Sequence, residues 1–245
     1  MKNIAFILLL SVGLITSCRW DNSTHKTGGN GGKVTATGKR DFDAPYKTGT
    51  QTARLELSGG ACSFTLDDTT GKLFNAEVAD STRHFSLAQV SEGSVQVVRF
   101  KMADKDDGDD ETHTDSIGVK LSLNANPQWE IDAKTGASSS HYDLTAFKIS
   151  KLHIDCSAGA FKVKLKPVLP DMNIDLKVSV AAIDISIPAD AACEVETDTN
   201  LGSNHFDGFD KKSDDHYETP GFASAKNKIH IKAKCSLAAF KILRY

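Results

Sequence analysis

An all-β domain of stacked short strands, a β-solenoid in its general form, is predicted for most of this chain by three observations. The first is repetition. Leu152 to Leu165 reads LHIDCSAGAFKVKL and returns as Ile229 to Leu243, IHIKAKCSLAAFKIL; over the shared core, Cys156–Val163 and Cys235–Ile242, five of eight positions are identical. Leu176–Pro188 and Leu55–Leu66 are looser copies. Self-similar segments mark stacking units that cannot bury their apolar face alone. The second is period-two alternation: Phe161, Val163 and Leu165 fall on one side, Lys162, Lys164 and Lys166 on the other, as a strand with one buried and one wet face requires. The third is the run of small residues that interrupts each copy, such as Gly59-Gly60-Ala61, which reads as a corner between two short strands.

At 245 residues the chain is long enough to bury a substantial core. A net charge of -3 leaves no basic surplus to displace counterions from a phosphate backbone, so nucleic acid is not an expected partner. Aromatic residues are only 7% of the chain, too few to supply stacking platforms for bases or sugars.

Met1–Ser17 reads as an export signal: Lys2 supplies the positive start, Ile4 to Ile15 is an apolar run, and the segment ends Ile15-Thr16-Ser17-Cys18. That ending resembles the lipobox of bacterial lipoproteins. The resemblance implies cleavage before Cys18 and lipidation of its thiol and new amino terminus, and several acyl chains hold a protein firmly on a membrane. Residues 18–49 are rich in Gly, Thr, Asn and Lys and poor in aliphatics, the composition of a flexible tether. Residues 50–150 and 151–245 are then two stretches of one continuous β domain.

Within it Leu55 and Leu57 alternate up to the Gly59–Ala61 corner, and Asp67–Gly71 is a turn by composition. Phe85–Leu87, Ser94–Met102, Ile117–Leu123 and Gln128–Ala133 are further strands, with Thr135–Ser140 a turn. Ala103–Asp115, ADKDDGDDETHTD, gathers hard oxygen ligands around Gly108. Against the calcium-loop spacing, two of the three preceding ligand places hold Ala103 and Lys105, so a solvated hairpin tip is the better reading. Ala192 to Thr197 follows a proline step as a strand, and Asp198–Gly221 reads as a loop in which His205, Asp207, Asp214 and His216 are of metal-ligand type but match no zinc spacing.

Several of these segments together resemble the toast-rack, LiaF-like group of bacterial envelope proteins. The residues are Leu55-Glu56-Leu57 with its Gly-Gly-Ala corner, Phe64-x-Leu66, Leu73-Phe74-x-Ala76-Glu77-Val78, Trp129-x-Ile131, Asp143-Leu144 with Phe147-Lys148, and the repeated rungs. The resemblance implies a stack of flat β units from about Thr52 to Tyr245 and makes Phe206, Phe209 and Tyr217 caps on the sheet. Two features depart from it: a lipid anchor stands where LiaF relatives carry transmembrane helices, and the acid segment at 103–115 is extra.

No Gly-x-Ser-x-Gly, phosphate-binding loop, HExxH or CxxC motif is present. Asp143 reads as a turn residue, since no second carboxylate stands at a companion position. Cys62, Cys156, Cys193 and Cys235 permit three pairings in an exported protein; Cys156 with Cys235 is the candidate disulfide if the two similar copies are neighbours, and small buried hydrophobe is the alternative for each. The expectation is a non-enzymatic, lipid-anchored envelope protein, without cofactor or catalytic residue and facing the periplasm. It would use its β domain for protein contact or self-association. A regulatory subunit in envelope-stress signalling and a glycan-binding or glycan-active solenoid are the alternatives.

Overall fold

The computed structural model describes residues 33–34, 39–79, 84–103 and 117–245, with only the backbone of 33–34 and 199–201. The leader, Cys18, most of the tether and the acid segment after Ala103 lie outside these residues. The strands in chain order are β1 (Lys33–Val34), β2 (Arg40–Ala44), β3 (Thr52–Thr69), β4 (Phe74–Val78), β5 (Phe85–Glu92), β6 (Val95–Met102), β7 (Ile117–Leu123), β8 (Gln128–Asp143), β9 (Lys148–Lys164), β10 (Asp171–Ile187), β11 (Ala192–Phe206), β12 (Asp210–Lys211), β13 (His216–Glu218) and β14 (Lys228–Arg244).

Chain geometry shows why the long strands must be bent. β8 and β9 pair in parallel from Gln128↔Lys148 to Asp143↔Lys164, yet only Leu144–Phe147 join them. A straight strand of 16 residues covers about 53 Å, and four connecting residues reach about 14 Å. β8 therefore folds back midway, bringing its end beside its start. β9 records the same bend in its burial. Leu152, Ile154 and Cys156 point inward, Ser157, Ala158 and Ala160 are exposed, and inward packing resumes on the other phase at Phe161 and Val163. Each long strand is thus a two-armed rung whose inward side chains meet between the arms. At the corners the rungs lie backbone to backbone. A Cβ on Gly159 would fall 2.3 Å from the Ser138 carbonyl oxygen, so a larger residue fits only if the neighbouring backbone shifts.

The rungs stack in the order β3-β8-β9-β10-β14-β11. Sequence order and spatial order agree as far as β10. The carboxy-terminal strand β14 then enters between β10 and β11, parallel to both. Phe161, Ile183 and Phe240 fall in one column, as do Cys156, Val178 and Cys235. The two most similar copies are therefore separated by β10.

The ends of the stack differ. The outer edge of β3 is paired along both arms, by β6 over Thr52–Ser58 and by β7 over Cys62–Thr69. β6 and β7, both parallel to β3, together act as one rung broken at its corner, so the chain between them does not join two paired antiparallel strands as a hairpin tip would. β5 pairs β6, and β4 and β2 follow β7, all antiparallel. Phe100 lies at the centre of this end with Phe42, Phe74 and Phe85 around it, ring centroids 5.1–5.5 Å away. At the other end β11 pairs β13 only over Glu194–Glu196.

Three sequence-based boundaries shift. Arg40–Ala44, assigned to the tether, is β2, because Phe42 and Ala44 bury fully against the core. Thr135–Ser140 is not a turn between strands but the corner of rung β8. Ser138 and Ser140 point inward there, bonded to each other at 2.6 Å, and the Phe64 amide donates to the Ser140 hydroxyl. The segment after Thr197 stays in the sheet to Phe206, extending β11 into a second arm. Asp143 is the expected turn residue: its Oδ1 accepts bonds from the Thr145 amide and hydroxyl.

Candidate functional site at the half-covered end of the stack

Stacking places every outward residue of one rung about 4.8 Å from the equivalent residue of the next. On the first arms this produces charged rows. One runs Glu56, Asp132, His153, Asp175, Lys232, Glu196 across successive strands. Within it Lys232 meets Glu196 at 3.0 Å and His153 Nδ1 meets Asp175 at 3.2 Å, while Arg99 bonds Glu56 at 2.8 Å from the closed end. An exposed pair such as Lys232–Glu196 contributes about 0–1 kcal/mol. The main effect of the rows is a wet, strongly patterned face.

The rows converge on a distinct cluster where β10, β14, β11 and β13 lie side by side. Glu194 stands opposite His230 on one side and Glu218 on the other, and Glu196 stands opposite His216. His216 Nε2 is 2.9 Å from Glu218 Oε1 and 3.9 Å from Glu194 Oε2. Glu194 Oε1 is 2.5 Å from His230 Nδ1, and His230 Nε2 is 3.2 Å from Asp171 Oδ1. The Phe222 ring packs edge-on against His230, centroids 5.6 Å apart. A shallow depression of about 360 Å³ adjoins His216, lined by Glu196, Thr197, Asp215 and Lys232.

Of the four ligand-type residues expected in this region, only His216 enters the cluster. His205 sits on the second arm of β11 opposite Lys241, Asp207 serves through its amide to Ile242, and Asp214 pairs with Lys211 at 3.0 Å. Glu194, Glu218 and His230 were not singled out by the sequence. Their signal is their outward phase in C-E-V-E, H-Y-E and I-H-I-K, which converges only once β14 is known to lie beside β11.

A second feature of this end is the outer edge of β11. Among the described residues no strand pairs with it beyond Glu196, and Gly202–His205 are exposed and carry no acidic or lysine side chain. Phe206 is half-buried there against Phe209, Tyr217 and Phe240, as expected of capping aromatics.

The thiols lie elsewhere. Cys62, Cys156, Cys193 and Cys235 are free and buried. The Cys156–Cys235 bridge expected from the repeat is not formed, because Val178 of β10 stands between them. Two strand spacings are about 9.6 Å, beyond the roughly 7 Å Cα reach of a disulfide. Burial pushes the Cys62 thiol up to about 12 and raises Cys193 as well, so neither is a thiolate at neutral pH.

The N-terminal domain of toast_rack, DUF2154, matches residues 30–186, well over half of the chain. The chain belongs to the toast-rack family. No curated protein is similar enough to match this toast-rack chain. A crystal structure from Clostridium sporogenes, of a protein provisionally assigned to cell adhesion, overlays at a TM-score of 0.71 and 13% identity, covering 84% of this chain and 99% of that one. At that identity the overlay establishes a shared fold. Provisionally assigned adhesins of Bacteroides fragilis (10% identity, 84% of this chain and 96% of that one) and Parabacteroides distasonis (11%, 87% and 98%) overlay at only 0.22 and 0.20, too weakly to carry an argument.

Proposed function

We propose that this toast-rack protein is a non-enzymatic, lipid-anchored envelope protein that makes protein contacts through the free edge of β11, and that its first partner is a second copy of itself. The single observation that carries this reading is the exposed run Gly202–His205, without acidic or lysine side chains, along an edge with no strand partner among the described residues. Exposed edges in natural sheets are commonly guarded by charge, proline or a bulge, and this one presents ladder groups in the open. Two copies joined edge to edge about a twofold axis would satisfy those groups reciprocally. The fold shared with the Clostridium sporogenes protein, whose provisional assignment is cell adhesion, fits a contact role.

Acyl chains on Cys18 would hold the domain at the membrane on the periplasmic side. Labelling of growing cells with radioactive palmitate is expected to mark the wild-type chain and not Cys18→Ala; an unlabelled wild type rules out the anchor. For the contact itself, sedimentation of the wild-type domain should show dimer. Ser203→Lys should shift it to monomer with an unchanged Tm. A wild type that remains monomeric at high concentration, or a Ser203→Lys dimer as tight as wild type, removes β11 as the contact edge.

A further inference from the structure

The cluster on β11, β13 and β14 has an electrostatic problem that the chain alone solves poorly. Glu194 and Glu218 face each other directly across an antiparallel pair, and Asp210 of β12 faces Glu218 in turn. Like charges opposite one another destabilise a sheet. Here one of the two glutamates sits on a short strand, since β13 is three residues long. His216 stands between the two glutamates, while of the two His230 bonds only Glu194, and Lys212 pairs with Asp210.

We propose that Glu194, His216 and Glu218 bind a divalent first-row metal ion of the zinc class. An imidazole nitrogen with two carboxylate oxygens is a donor set suited to zinc. One ligand atom from each of the three lies within 4.8 Å of the other two. Tetrahedral zinc with bonds of about 2.0–2.1 Å needs ligand atoms roughly 3.3 Å apart. The present His216 Nε2 separations of 2.9 and 3.9 Å bracket that value, so small side-chain rotations suffice. Water takes the fourth place, on the side of the depression beside His216. His230 is a positioning residue. Its Nδ1 holds Glu194 Oε1, leaving Oε2 turned toward His216, while Asp171 and the edge of Phe222 fix its ring. Ligating carboxylates are commonly oriented by such an outer partner.

The consequence is mechanical. Residues 207–227 leave β11, form β12 and β13, and deliver β14 into the stack. A metal bridging Glu194 of β11 to His216 and Glu218 of β13 staples this excursion to the last rung. It replaces repulsion with attraction where only three residue pairs join β13 to β11. Metal bound only by the folded chain adds directly to its stability.

The test is titration of the chelator-treated full mature chain with zinc alone, followed by calorimetry and thermal melting. One equivalent should bind, Tm should rise, and EDTA should reverse the rise. His216→Ala should abolish both effects, Glu218→Gln should weaken binding on the order of 10–100-fold, and His230→Gln should weaken it by a comparable factor without changing the stoichiometry. His205→Ala, outside the cluster, should bind as wild type. The metal-free Tm of each variant separates lost binding from lost folding. Cobalt at the site should give the visible bands of a four-coordinate ion. Failure of zinc to bind at 100-fold molar excess, or binding that His216→Ala and Glu218→Gln leave untouched, overturns the site. An equal Tm rise with calcium overturns its nitrogen ligand.

Discussion

The two ends of the stack are built on one principle and finished differently. At the β3 end both arms of the terminal rung are paired, by β6 and β7, and an antiparallel layer lies outside them. Four phenylalanines are buried there, with Phe100 fully inaccessible. At the β11 end one arm meets a three-residue strand, the other meets no strand among the described residues, and Phe206, Phe209 and Tyr217 are only partly covered. A closed end satisfies its own ladder groups and resists further pairing. A half-covered end leaves hydrogen-bonding groups and ionisable side chains available, so the contact edge and the proposed metal cluster both belong there.

The largest expected effect comes from the rung just inside that end. In a simple solenoid the chain terminus is the outermost rung, and its loss trims the stack. Here β14 is interior and contributes Ile229, Ile231, Ala233, Cys235, Ala238, Phe240 and Ile242 to the core. A stop after Asn227 should therefore abolish the cooperative unfolding transition, since each large apolar side chain buried contributes about 1.5–3 kcal/mol to a total stability of about 5–15 kcal/mol. Circular dichroism melts decide it; a truncated chain that still melts cooperatively would make β14 dispensable. In hydrogen exchange, β14 amides should be as protected as those of β9, and outward amides of Gly202–Asn204 should exchange fastest of any rung.

Aromatic truncation compares the two caps directly. Phe100→Ala removes a ring packed by three others and should cost about 3–5 kcal/mol. Phe206→Ala removes a partly covered ring and should cost about 1–2 kcal/mol. Equal losses in urea titrations would mean that the β11 end is as closed as the β3 end. Gly159→Ala, in the regular middle, should fall between them at about 1–3 kcal/mol, because the new methyl meets the Ser138 carbonyl.

Much of the stack is legible in the sequence and much of the site is not, for the same physical reason. Period two and small corners are local, so rungs such as β9 and β10 can be read from Leu152–Leu165 and Leu176–Pro188. Which rungs are neighbours is not local. The likeness of Cys156–Val163 to Cys235–Ile242 suggests adjacency, but β10 separates them. The cluster inherits that blindness: Glu194 and His230 meet only because β14 inserts beside β11. Phe42 was hidden differently, inside a segment whose Gly and Thr content reads as tether. One phenylalanine and one alanine on the inward phase bury there, and β2 pairs with β4 over five positions.

The smallest effect expected is electrostatic and lies at the closed end. Lys39 donates to Glu77 at 2.6 Å, tying the start of β2 to β4. That hydrogen bond, with the lysine's charge, holds the Glu77 carboxyl below its ordinary 4.5. A carboxyl whose folded pKa is depressed binds fewer protons than in the unfolded chain. Its stabilisation is therefore complete above about pH 4.5 and is lost as pH falls through the lower folded value. Both side chains are more than a third exposed, so water and salt screen most of the interaction. Glu77→Gln should lower Tm slightly at pH 7, with the difference shrinking as pH falls below 4.5 and again in 1 M salt. A difference that persists undiminished in salt would show that Glu77 holds β2 by packing instead of charge, and the closed end would then owe its closure to apolar contact alone.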